Sequence, residues 1–116
     1  MHELSVAQNI IEIIEQNVPK NEISCVRQVV LKVGEFSGVI TDSLRFSYEV
    51  ITAHTELQSS ELRIDPIPFR LKCNSCGNIT TNSYGLRECS DCLKTDTEVL
   101  SGEELNIAEI ILEDKS

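Results

Sequence analysis

Residues 73–92 read CNSCGNITTNSYGLRECSDC: two cysteine pairs, Cys73 with Cys76 and Cys89 with Cys92, each enclosing two residues, with twelve residues between the pairs. A CxxC turn lets both sulfurs of one knuckle face the same ion, and two knuckles complete a tetrahedron of thiolates. Asn74, Ser75, Ser90 and Asp91 are the small polar residues that such turns accommodate. Gly77 follows the first pair, where a tight turn asks for unusual backbone dihedrals. Apolar residues in the segment are few, chiefly Ile79, Tyr84 and Leu86. Burial of so little surface does not fold a chain, whereas zinc contributes about 10–16 kcal/mol to comparable peptides. Sulfur takes all four positions and leaves none open for water, which favours structural Zn(II). Iron in the same cage, two disulfides or a redox CxxC are the other chemistries of this spacing.

This reading divides the chain. Residues 69–100 form an inserted zinc-ribbon-like module, and residues 1–68 plus 101–116 form the body. Upstream, Leu4, Ala7, Ile10, Ile11, Ile14 and Val18 follow the i, i+3, i+4 spacing of an amphipathic helix, which Pro19 stops. In VRQVVLKVGEF, Val29, Leu31 and Val33 share one face of a strand, with Gln28, Val30 and Lys32 on the other. Gly34 and Gly38 mark the following turn. A second helix is expected from Thr41 or Asp42, either of which can cap it, to about Ala53. Its buried side would be Leu44, Tyr48 and Ile51, with Phe46 and Val50 beside them. ELRID alternates as a second strand that Pro66 and Pro68 end. Beyond Gly102, Leu105, Ile107 and Ile111 mark a third strand in period two, with Glu109 as the exception. The expected fold is α+β: two helices on one face of a three-stranded sheet, carrying the cysteine module as an insert.

Composition narrows the function. The chain has 116 residues, one domain's worth, and 41% are apolar, so a real core is possible. Aromatics are only 4% and Trp is absent, so that core must be aliphatic. Ten basic against 19 acidic residues give a net charge of −9 with no basic cluster, which argues against nucleic acid. No apolar run approaches the roughly 20 residues of a membrane span. Polar Gln8, Asn9, Glu12 and Glu15 interrupt any signal-peptide core. A cytoplasmic location is expected, and in that reducing setting five cysteines argue for metal before disulfides. Cys25, alone before the first strand, reads as a small hydrophobe. His54 reads as a loop histidine without a ligand role.

The chain opens MHELS. The Met1 amine, the His2 amide and the His2 imidazole can close adjacent chelate rings on one ion, with the Glu3 amide or carboxylate in the fourth place. Planar nitrogen and oxygen donors suit Ni(II) or Cu(II). The first amides of a helix have no partner within it, so they can be given to a metal without breaking a helical bond. A frayed, unimportant terminus is the plain alternative.

MHELS, VVLKVGEFSGV, LRFSYEVI, the two CxxC knuckles and LNIAEIILE together, in this order, resemble the HypA/HybF family of hydrogenase nickel-incorporation proteins. The resemblance implies a metallochaperone that is not an enzyme, with Met1, His2 and Glu3 at a transient Ni(II) site. It implies structural Zn(II) on Cys73, Cys76, Cys89 and Cys92. It also implies a GTPase of the HypB type as partner and the large subunit of [NiFe]-hydrogenase as recipient. Urease is a second recipient in some members, and a homodimer is compatible. Two other classes stand beside it: a zinc-ribbon adaptor that only bridges proteins, and a thiol–disulfide enzyme using one CxxC.

Overall fold

The computed structural model describes residues 3–113. Helix α1 spans Glu3–Asn17 and α2 spans Thr41–Thr52. A 3-10 helix over Lys20–Cys25 leads into β1, Val26–Gly34. The remaining strands are β2, Glu61–Ile67, β3, Arg70–Cys73, β4, Ile79–Thr80, β5, Thr97–Ser101, and β6, Leu105–Leu112. They form two three-stranded sheets, ordered β2-β1-β6 and β4-β3-β5. The α+β class and the sheet of three expected strands hold, and the cysteine module contributes a second small sheet that its sequence did not announce.

The chain divides into two compact units: Met1–Lys32, Val39–Asp65 and Asn106–Ser116 in the first, Val33–Gly38 and Pro66–Leu105 in the second. In the first, α1 buries Val6, Ala7, Ile10 and Ile14, and α2 buries Leu44, Tyr48 and Thr52. The Tyr48 hydroxyl lies 2.6 Å from that of Ser60, so its polar end is satisfied inside an apolar wall. Burial raises the Tyr48 pKa above the ordinary phenol value, against the opposing pull of Ser60. At the other edge, Arg27 pairs with Glu113, whose amide donates to the Cys25 carbonyl at 2.7 Å.

Several expectations change. Neither Thr41 nor Asp42 caps α2: the cap is Ile40, with no side-chain cap of its own. Phe46 and Val50 are not beside the core; they are 67% and 55% exposed. The buried stripe runs Leu44, Tyr48, Thr52, because two steps of four residues keep one helix face while Phe46 is turned most of the way round. Ile51 is half-buried. On β1, the central strand of its sheet, Val30 is about as buried as Val29 and Leu31, so apolar residues of both faces are covered there. Pro66 does not end β2, which runs on to Ile67; β2 is an edge strand, where a missing N–H costs no ladder bond. On β6, Ile110 takes the half-buried position and Ile111 is exposed.

In the second unit β3 pairs antiparallel with both neighbours, Leu71 opposite Thr80 on β4 and opposite Val99 on β5. Its core is Val33, Phe69, Leu71, Cys73 and Cys89. Phe36 meets Phe69 edge to face, with centroids 5.1 Å apart. Gly34 and Gly102 touch backbone to backbone: a Cβ on Gly34 would stand 2.2 Å from the Gly102 carbonyl carbon. Gly34 therefore serves close approach more than the turn its sequence suggests, while Gly38 does occupy the left-handed region at φ 85°.

Candidate metal centre

The fold of the second unit brings all four module cysteines together. Cys73 is the last residue of β3, and Cys76 lies in the turn that follows. The Cys73 amide donates to the Asn78 carbonyl at 2.9 Å, the Gly77 amide to the Cys73 carbonyl at 2.9 Å, and the Cys76 amide to the Cys73 sulfur at 3.4 Å. The second knuckle repeats the pattern: Cys89 donates to Lys94 at 2.9 Å and Leu93 to Cys89 at 2.8 Å. Asn and Asp side chains tie this part of the module together. Asn78 donates to Asp91 at 2.9 Å, and Asn74 donates to Asp96 at 3.1 Å from its side chain and 2.9 Å from its backbone amide. The small polar residues inside and beside the knuckles are the braces that hold the sulfurs in register.

The four sulfurs lie within 4.8 Å of one another, with Cys73–Cys92 at 3.5 Å and Cys76–Cys89 at 3.7 Å. Sulfurs at the corners of a tetrahedron with a metal–sulfur bond of ~2.3 Å stand ~3.8 Å apart. The cage fits zinc. The same separations far exceed a disulfide bond of about 2.05 Å, and all five cysteines are free thiols. Cys73 and Cys89 are buried, Cys92 is half-buried and Cys76 is exposed.

The electrostatics of the four thiols follow from their closeness. The Cys76 amide, ahead of the other influences, holds Cys73 down to about 6, and the Cys92 amide likewise lowers Cys89. For Cys76 the Asn78 amide pulls downward, but burial and the thiols of Cys73, Cys89 and Cys92 outweigh it and push the group up to about 12. A thiol–disulfide enzyme needs an accessible thiolate of lowered pKa. Here four sulfurs converge on one point and share their protons, which suits four ligands around one cation.

Of the three residues expected at nickel, Met1 and His2 lie outside the described residues. Glu3 opens α1 and is half-buried. Its carboxylate accepts the Ile40 amide at 3.4 Å, which brings the start of α1 to the start of α2 and gives α2 the cap its own residues lack. Beside it opens a hollow of about 540 Å3 bordered by Glu3, Leu4, Asp42, Ser43, Phe46 and Ser47. Sequence reading missed this hollow because Leu4 and Phe46 fit a helical core pattern, and periodicity does not say which apolar residues a neighbour covers. Cys25 is half-buried at the end of the 3-10 helix. His54 is exposed at φ 64°, in the left-handed position just past the α2 cap residue Ala53.

Comparison with known proteins bears on the same residues. A family model described as "Hydrogenase/urease nickel incorporation, metallochaperone, hypA" matches residues 1–112. The hydrogenase maturation factor HypA of Geobacter sulfurreducens is 34% identical over 113 residues, covering 97% of this chain and 100% of that protein. HypA of Legionella pneumophila strain Corby is 36% identical with the same coverage. Two solution structures share the fold: one of a HypA protein, with a TM-score of 0.69, and one of the Ni metallochaperone HypA from Helicobacter pylori, with 0.67. Each is 22% identical and covers 97% of both chains. With the family match running from the first residue through the cysteine cage and β6, this chain belongs to the HypA family of nickel-incorporation metallochaperones.

Proposed function

We propose that this chain carries Ni(II) at its amino terminus and delivers it to the large subunit of [NiFe]-hydrogenase during maturation, in the cytoplasm and together with a GTPase of the HypB type. Urease is a second recipient consistent with the family description. Zn(II) is held by Cys73, Cys76, Cys89 and Cys92 as a permanent structural ion. The division of labour is a nickel-binding body of residues 1–68 and 101–116 and a zinc-binding insert of 69–100. The supporting observation is the family match over residues 1–112, which takes in MHE and the cysteine quartet at once.

The chemistry of the two donor sets keeps the ions apart. Soft thiolates in a closed tetrahedron retain zinc, whereas nitrogen donors in a plane suit Ni(II). A chelate built from the Met1 amine, the His2 amide and imidazole and the Glu3 amide is shallow, and a partner's donors can replace it one by one. Glu3 offers its amide or its carboxylate as the fourth donor; one carboxylate oxygen already accepts the Ile40 amide at 3.4 Å, which favours the amide. The carboxylate then acts as a positioning group that keeps the donors at the head of α1 beside α2.

The test is metal content and nickel titration of the untagged, zinc-loaded protein. His2→Ala should weaken nickel by more than the about 10–100-fold that loss of an outer partner costs, with zinc unchanged. Residues added ahead of Met1 should do the same. Equal nickel affinity in the extended protein would remove the amine from the ligand set. One zinc and no nickel in the natural protein would favour the adaptor reading, for which Ile79, Tyr84 and Leu86 stand ready, all exposed on the second unit.

A further inference from the structure

A second hollow, of about 280 Å3, lies among the carboxyl-terminal half of α1, the 3-10 helix and the end of α2. Ile11, Ile23, Ile51 and Leu57 supply its apolar lining, and Glu15 and Glu56 stand among them. It is separate from the proposed nickel end, since α1 meets the start of α2 through Glu3 and this hollow through Ile11 and Glu15. Two electrostatic features coincide here. A helix carries partial negative charge at its carboxyl end, and basic residues in the last turn normally answer it. Neither α1 nor α2 has one. Instead Glu15 and Glu56 add two full negative charges, both side chains are exposed, and neither has an ion-pair partner among the described residues.

An aliphatic lining favours an aliphatic side chain, and the uncompensated negative rim favours cations on either side of it. The lining holds no convergent array of donors with which to grip a small polar metabolite. The rim would repel an anionic lipid surface, and a second copy of this chain at −9 would meet the same repulsion. What remains is a polypeptide segment of another protein. We propose that this hollow is a docking site for a partner-protein segment in which leucine or isoleucine is flanked by lysine or arginine. The site is independent of nickel, and a partner held there leaves the amino terminus free.

The test uses the full, zinc-loaded, 15N-labelled chain and a synthetic peptide, acetyl-Gly-Lys-Lys-Leu-Leu-Lys-Lys-Gly-amide, as probe. Saturable shift changes should centre on Ile11, Ile23, Ile51 and Leu57. Glu15→Gln with Glu56→Gln should weaken binding by about fivefold, the scale of two exposed ion pairs. Glu98→Gln with Glu109→Gln removes two exposed charges elsewhere and should change it by less than about twofold. Replacing both leucines of the peptide by serine should abolish the localised shifts. All variants alter exposed carboxylates, and their dispersed spectra and zinc content report folding. Shifts centred elsewhere, the Leu4 and Phe46 hollow included, would overturn the proposal. Equal weakening by the two double variants, or unchanged binding of the serine peptide, would overturn it as well.

Discussion

The two units differ in how many apolar side chains they bury. In the first, the inward faces of α1, α2 and β1 bury one aliphatic side chain after another, from Val6 and Ile14 to Leu31 and Leu44. In the second, only Val33, Phe69 and Leu71 join Cys73 and Cys89 as buried hydrophobic side chains among the described residues; both units leave apolar residues exposed, Leu4, Phe46 and Val50 in the first and Ile79, Tyr84 and Leu86 in the second. The first unit has the core of an ordinary small protein. The second has Val33, Phe69, Leu71 and a sulfur cage, too little for burial to hold alone. The contrast teaches that one short chain uses two different sources of folding free energy.

Removing the metal breaks that contrast most directly. Zinc contributes about 10–16 kcal/mol in small metal-folded peptides, as much as the whole margin of a typical domain. Stripping zinc with a strong chelator should therefore collapse amide dispersion for residues 66–105 and leave the signals of α1 and α2 in place. A second unit that kept its dispersed spectrum without metal would mean that the sulfurs are ornament. Acid should act as the chelator does. Protons compete with the metal for thiolate, so zinc affinity falls as the pH is lowered and acidification should release the ion. Metal release followed by a chromogenic chelator across pH gives the midpoint.

The reverse test belongs to the first unit. Leu44 is fully buried, and Leu44→Ala should cost about 3 kcal/mol in denaturant unfolding, the low end of the range for such truncations. Tyr84 is 80% exposed, and Tyr84→Ala should stay within about 0.5 kcal/mol. Tyr84 is the most exposed of the large apolar side chains among the described residues. If its truncation cost as much as that of Leu44, the second unit would have a hydrophobic core after all.

Legibility followed the same division. The cage was readable because the CxxC spacing is itself the coordination geometry: two residues per turn dictate which sulfurs meet. The helices and the three strands of the β2-β1-β6 sheet were readable from period, to within a residue or two at α1 and α2. What period could not supply was the neighbour. Phe46 and Val50 look like core on a helical wheel and stand in solvent because nothing among the described residues covers them. The α2 cap came from Glu3, 37 residues away, which no local capping pattern contains. Pro66 was misjudged because the edge position of β2 is a property of the sheet, not of ELRID.

The smallest effect compares the two knuckles themselves. Their hydrogen bonds repeat, so the residue after each pair adopts the same left-handed backbone: Gly77 at φ 77° and Leu93 at φ 62°. Left-handed dihedrals cost a side-chain-bearing residue about 1–2 kcal/mol, and glycine almost nothing. The first knuckle is relaxed and the second is strained. No atom lies within 4 Å of a Cβ built on Gly77, so Gly77→Ala meets the backbone penalty without a clash. It should lower stability by about 1 kcal/mol. Leu93→Gly should act in the opposite direction. Leu93 is 68% exposed and gives up little burial, while glycine relieves the strain at the cost of a more flexible unfolded chain. The net gain should be about 0.5 kcal/mol, read as slower zinc loss to a competing chelator. Opposite signs at two positions with matching hydrogen bonds would locate the strain in the backbone; matching signs would locate it in side-chain contacts and sink the equivalence of the knuckles.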